Sequence, residues 1–242
     1  GAENIALVCE EKGIGKIVFT SSVAVYGFAE PGTDEAGAIN PFNEYGRTKF
    51  KAEEKLRSWQ AKSKNSLIII RSTVIFGEGN RGNVFNLLNQ IASNKFLMLG
   101  KGENKKSMAY IGNVVAFLDV CIATDQKYGV YNYVDTPDLT MNDLVSKVRL
   151  KLLDKKDVGL RLPYFLGLVL GYIADFVSIL VHKNLSISSI RVKKFASSTE
   201  FKSSKGDLDD FEVPYSLIDG ISRTLDAEFI SPASDREIFY TE

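Results

Sequence analysis

Tyr45 and Lys49 stand four residues apart in Tyr45-Gly46-Arg47-Thr48-Lys49. On a helix that spacing puts both side chains on one face, one turn from each other. A free phenol titrates at about pH 10, so it is a poor base at neutral pH. A neighbouring ammonium favours the phenolate and brings that value down. The pair can then take a proton from a sugar or alcohol hydroxyl and give it back. Upstream, Thr20-Ser21-Ser22 ends the apolar run that starts at Lys16. A serine hydroxyl just past a strand end, Ser22 first of all, can hold the same substrate hydroxyl in place. Tyr-x-x-x-Lys alone is a weak signal, because a surface lysine beside a half-buried tyrosine gives the same spacing. Its setting is what gives it weight.

That setting is a series of alternating elements. The pattern predicts a helix over 3–12 ended by Gly13, a residue suited to the left-handed position after a helix. A strand over 16–20 follows, then Val23-Ala24-Val25-Tyr26-Gly27 and a loop over 28–43 rich in Gly, Pro and Asp. The helix over 44–62 carries Tyr45 and Lys49. Leu67-Ile68-Ile69-Ile70 is an unbroken apolar run of strand length, as in parallel strands covered on both faces. Helix, strand, helix, strand predicts a doubly wound α/β sheet. Further on come a helix over 83–93, a short strand and turn over 96–102, a helix over 111–124 and a strand over 130–134. The last of this series is a helix over 140–151, with Thr140 or Asn142 as its N-cap.

Composition narrows the function classes. The chain has 242 residues, 45% hydrophobic and 25% charged, which is ordinary globular composition for one or two domains. Its 30 basic and 30 acidic residues balance, and no block of like charge suits nucleic acid. Cys9 and Cys121 lie far apart in apolar helical patterns, so buried thiols in a reducing compartment are expected, without a disulfide or metal site. The single histidine, His182, sits in no zinc-ligating or triad constellation. Gly1-Ala2-Glu3-Asn4 is neither a signal peptide nor a domain start, and reads as a cut inside a fold.

Several stretches carry competing readings. Gly77-Glu78-Gly79-Asn80-Arg81-Gly82 has the form of a dinucleotide fingerprint, but Glu78 would bring a carboxylate close to a pyrophosphate. A glycine-rich turn is the better reading there, as a helix end is for Gly13-Ile14-Gly15. Asn104-Lys105-Lys106-Ser107 is either a phosphate clamp or a solvated loop. Residues 162–181 have about the span of a transmembrane helix, yet Pro163, Gly167, Gly171, Tyr172 and Asp175 interrupt them. A buried helix, a helix in the membrane interface and a true span all stay open. Arg191, Lys193 and Lys194 follow, as a contact for a diphosphate or lipid headgroups or as a solvated face.

Several motifs together resemble one family. Phe19-Thr-Ser-Ser-Val-Ala-Val-Tyr-Gly27, Tyr45-Gly-Arg-Thr-Lys49, Arg71-Ser-Thr-Val-Ile-Phe-Gly77 and Gly100-Lys-Gly102 have the order and spacing of the extended short-chain dehydrogenases/reductases. That family contains the NAD-dependent sugar epimerases and dehydratases. The resemblance implies a Rossmann-like doubly wound parallel sheet, with the first strands and the glycine-rich phosphate loop upstream, and a smaller C-terminal substrate domain. It divides the chain into 1–77 with 107–136 for NAD, and 78–106 with 137–242 for substrate. It implies Tyr45 as acid and base, Lys49 as its partner and a ribose ligand, and Ser22 as the residue that positions the hydroxyl. NAD would lie against Thr20, Ser21, Tyr45, Lys49, Thr73 and Val74. Asn83 and Lys106 match family positions that hold the substrate diphosphate, and Arg191 is a third candidate. Ser72 departs from the proline the family usually has after the arginine.

Within the family the chain looks closest to bacterial enzymes that epimerise N-acetylglucosamine-diphospho-undecaprenol at C4 for O-antigen and other surface polysaccharides. Pro41-Phe-Asn-Glu-Tyr45, Asn80-Arg-Gly-Asn-Val-Phe85, Lys106-Ser-Met-Ala-Tyr-Ile-Gly-Asn113 and Ser189-Ile-Arg-Val-Lys-Lys-Phe195 carry that likeness. It implies a cytoplasmic homodimer, joined through helices that include 44–62, with 162–181 docked on the inner membrane. A soluble UDP-sugar 4-epimerase or related reductase stays open, and so does a non-catalytic binding protein on the same fold. Dehydration is disfavoured, because Val23-Ala24 follow Ser22 where the dehydratase branch has an Asp-Glu pair.

Overall fold

A computed structural model of the chain describes residues 1–62, 65–181, 188–232 and 237–240; His182 lies outside them. In chain order the elements are α1 (Ala2–Lys12), β1 (Lys16–Ser22), α2 (Glu44–Ala61), β2 (Ser66–Ser72), β3 (Val74–Phe76), α3 (Asn83–Ala92), β4 (Met98–Leu99) and β5 (Met108–Tyr110). They continue with α4 (Ile111–Ala123), β6 (Tyr128–Tyr133), α5 (Met141–Leu153), β7 (Arg161–Leu162), α6 (Tyr164–Val181), α7 (Ser189–Ala196) and α8 (Leu217–Leu225). The chain divides into two units. One holds 1–77, 107–137 and 200–222, and the other holds the rest.

The first unit is built on a parallel sheet of order β1-β2-β6. Every residue of β2 is buried, which accounts for its unbroken apolar run. Leu67 and Ile69 pack on Ala6, Cys9, Leu56 and Trp59 of α1 and α2. Ile68 and Ile70 face the other way, onto Val114, Phe117 and Cys121 of α4. This is a Rossmann-like arrangement of parallel strands between helices. Both cysteines are buried and free. Burial pushes the Cys121 thiol up to about 12. Gly13 ends α1 in the left-handed conformation at φ 67°. A small parallel pair, β3 with β5, completes the unit's strands.

Residues 200–222 depart from the expected division. They belong to the first unit, because its groups satisfy their backbone. Ser204 N–H donates to Glu35, and Lys202 O accepts from Asn132. Leu208 then closes over the Ile68–Phe117 side of the core.

The second unit pairs β4 with β7 and sets α3 against α5. Thr140 caps α5 by accepting from Asp143 N–H. Helix α6 departs from the buried-helix reading, since Gly167 and Gly171 are its only buried residues. They form its inward face. A Cβ on Gly171 would lie 2.8 Å from Ser189 Cα, and one on Gly167 would lie 2.7 Å from Leu99 Cδ2. Asp175, the charge inside the apolar run, accepts from Ser189 N–H at 3.1 Å at the start of α7. Leu168, Ala174, Asp175 and Ser178 are half-buried, and the other side chains stand open, among them Phe165, Phe176 and Ile179 at 64%, 64% and 73% exposure.

Candidate active site

Helix α2 begins where Asn43 accepts from Gly46 N–H at 2.8 Å, so an asparagine cap fixes the turn that carries Tyr45. That turn lies directly on the short helix Val23–Tyr26 that follows Ser22. A Cβ on Gly46 would come within 2.4 Å of Ala24 O, so a glycine is required there. Ser22 Oγ accepts from Ala24 N–H at 3.2 Å and caps the same short helix. As the acceptor in that bond it keeps its own proton to donate. Tyr45 is 54% exposed, an open phenol at the N-terminal end of its helix.

Lys49 lies one turn further on. Its Nζ donates to Thr20 O at 2.9 Å, which ties α2 to the end of β1. The ammonium stands 5.3 Å from the centroid of the Phe19 ring and 5.8 Å from that of Tyr45. Burial lowers its pKa from the ordinary lysine value. The structure thus gathers Thr20, Ser22, Tyr45 and Lys49 around one strand end.

The neighbouring strand ends are level with it, because Ser22 pairs with Ser72, and Ser72 with Tyr133. Thr73 gives both its N–H and its hydroxyl to Tyr133 O, each at 3.0 Å. Val74 is exposed at the start of β3, and Ser72 Oγ is buried with no hydrogen-bond partner. Ser21, also expected at the cofactor, points the other way. It is buried and donates to Glu53 Oε1 at 2.6 Å.

Asn83, Lys106 and Arg191 lie in the second unit. Asn83 is the exposed first residue of α3. Lys106 Nζ donates to Lys194 O at 2.9 Å and to Ser197 O, at the C-terminal end of α7. Burial draws its pKa down to about 8. Arg191 sits in the first turn of α7, its N–H capped by Ser188. The glycine run 77–82 behaves as a turn. Gly79 N–H is committed to Glu228 Oε1 at 2.7 Å, and a Cβ on Gly77 would meet Ile111 at 2.2 Å.

Two residues that matter here were not singled out from sequence. Glu53 continues the spacing of Tyr45 and Lys49 by another four residues, and Arg71 ends an otherwise apolar strand run. A carboxylate on a helix's inward face and an arginine in a covered strand are a pair signal. Gly46 lay inside the motif, but its close contact is a tertiary fact.

Known proteins resemble the chain in sequence and in fold. The model of the NAD dependent epimerase/dehydratase family matches residues 1–133. The chain is 48% identical to the N-acetyl-alpha-D-glucosaminyl-diphospho-ditrans,octacis-undecaprenol 4-epimerase of Escherichia coli O157:H7, over 100% of this chain and 74% of that protein. It is 28% identical to the UDP-glucose 4-epimerase of Vibrio cholerae, over 67% of this chain and 51% of that one. The UDP-N-acetylglucosamine 4-epimerase structure from Bacillus cereus superposes with a TM-score of 0.69 at 16% identity, covering 92% of this chain and 68% of that one. This last likeness bears on the fold alone.

Proposed function

The chain belongs to the NAD dependent epimerase/dehydratase family, and from that premise we propose that it inverts C4 of an N-acetylhexosamine carried on a polyprenyl diphosphate. The reaction would interconvert N-acetylglucosamine and N-acetylgalactosamine. The donor set at the strand ends fits NAD. Lys49 has given one N–H to Thr20 and keeps two for ribose hydroxyls. Thr20, Thr73 and Val74 line the ends of β1 and β2, where parallel sheets hold dinucleotides. When bound there, NAD would supply a reversible hydride acceptor for C4 of the sugar.

The chain's own residues handle the proton and the orientation. Ser22 donates to the sugar 4-oxygen and fixes its distance from Tyr45. Tyr45 accepts the hydroxyl proton as the C4 hydrogen leaves, and gives it back after the sugar has turned. Lys49 stabilises the negative charge on the phenolic oxygen. Lys106 keeps a third N–H beyond its two carbonyls for a diphosphate oxygen, with Asn83 and Arg191 as further ligands.

One observation carries the choice of a lipid carrier over a nucleotide: α6 is an 18-residue helix with mean hydropathy 2.0, and most of its side chains stand open. At 1.5 Å per residue it is about 27 Å long. Its glycine face and Asp175 bind it to α7, which carries Arg191, Lys193 and Lys194. Taking α6 through a bilayer would drag those cations with it, at high cost. Lying in the interface sinks the apolar side chains and leaves the cations at the anionic headgroups of the cytoplasmic leaflet.

The reading is tested at Tyr45. Tyr45→Phe removes the proton acceptor and should lower turnover of the lipid-linked sugar by about 10³ with the circular dichroism spectrum unchanged. Turnover within a few-fold of the parent would contradict it.

A further inference from the structure

Behind the reacting residues lies a buried ionic network that the chemistry does not touch. Glu53 is on α2, one turn after Lys49, and is completely buried. Its Oε1 accepts from Ser21 Oγ at 2.6 Å and from Arg71 Nε at 3.0 Å. Its Oε2 accepts from Arg71 Nη2 at 2.7 Å and from Arg57 at 2.9 Å. Arg71, 2% exposed, reaches on to Tyr26 Oη at 2.8 Å, and Tyr26 donates to Asn132 on β6 at 2.8 Å.

These contacts have a geometric consequence. Ser21 precedes Ser22 on β1. Tyr26 ends the short helix that Ser22 caps and that Gly46 presses on. Glu53 shares its helix face with Tyr45 and Lys49. One carboxylate and one guanidinium therefore fix α2 along its axis against the strand and turn that carry Ser22. Arginine's planar fork holds a carboxylate in a single orientation, which apolar packing of Leu56 and Trp59 does not. A ring of apolar contacts allows a helix to slide, whereas two parallel N–H···O bonds do not.

We infer that Glu53 and Arg71 are positioning residues: their buried pair sets the register between the Tyr45–Lys49 helix and the Ser22 strand end, and so sets turnover without contacting substrate. The inference rests on the assignment of Tyr45 and Lys49 as the reacting pair.

The test separates position from stability. Removing one partner strands a buried charge and threatens the fold. The double variant Glu53→Gln/Arg71→Met removes both charges and keeps an acceptor for Ser21. Ser21→Ala leaves the ion pair whole and cuts only the tie to β1. Full-length protein carrying each change is assayed with N-acetylglucosamine-diphospho-undecaprenol beside Tyr45→Phe. The double variant should lose about 10²-fold in kcat with KM within a factor of three, as expected for a misplacement of about 1 Å. Ser21→Ala should lose about tenfold in kcat, again at constant KM. Arg71→Lys, which keeps the charge without the fork, should restore only part of the loss. A folded double variant and a Ser21→Ala variant that both turn over at the parent rate, beside an inactive Tyr45→Phe, would overturn the inference alone. An active Tyr45→Phe would instead overturn the assignment of the reacting pair, and the inference with it.

Discussion

At the scale of single residues, Lys106 has two features that pull against each other. It holds the last carbonyls of α7, yet burial draws its pKa to about 8 from the ordinary 10.5. Between those two values the unfolded chain keeps a proton that the folded chain has released. The unfolded state then binds more protons, so the contribution of Lys106 to stability rises with pH from about 8 toward 10.5 and is absent well below 8. Urea unfolding of the parent and of Lys106→Met at pH 8, 9 and 10 should show a stability difference that moves in the parent's favour as pH rises. Parallel curves would contradict the buried ammonium. In the assay Lys106→Ala should mainly raise KM, as the loss of a diphosphate contact does. An effect confined to kcat would argue against the clamp.

The elements show which parts of this protein were legible in its sequence. Strands β1, β2 and β6, and helices α1 to α5, follow from apolar runs, periodicity and caps. Thr140 and Gly13 end up in their expected roles. The short strands β3 and β5 were not read, because three residues carry no period. The polar segment 200–222 gave no hint of its unit, since its backbone partners are side chains far away in sequence. The proposed reacting pair could be read because Tyr45 and Lys49 share one helix. Its support was not, because Gly46, Glu53 and Arg71 acquire their roles only once α2 lies on the sheet. Gly46 gives an element-scale test. Gly46→Ala places a methyl 2.4 Å from Ala24 O, and backbone must move. We expect a stability loss of about 1–3 kcal/mol and a fall in kcat of about 10². Parent-like kcat would mean that the first turn of α2 does not need its seat on residues 23–26.

At the scale of the whole molecule, the open apolar helix α6 separates a lipid-linked from a nucleotide-linked substrate. Phe176 and Ile179 are exposed, so Phe176→Ser/Ile179→Ser should leave thermal unfolding unchanged. If α6 lies in the interface, the same change removes two inserted side chains worth about 1.5–3 kcal/mol each. Sedimentation with vesicles of anionic phospholipid should then show binding at least ten times weaker than the parent. Raising the salt should weaken the parent as well, through Arg191, Lys193 and Lys194. Equal binding by both proteins would show that α6 does not touch the membrane.

The most direct measurement offers the full-length protein two substrates in separate reactions, N-acetylglucosamine-diphospho-undecaprenol and UDP-N-acetylglucosamine. Mild acid releases the sugar, and N-acetylgalactosamine is counted. Product is expected from the lipid-linked sugar, abolished by Tyr45→Phe, and little or none from the nucleotide sugar. Product from the nucleotide sugar alone would contradict it.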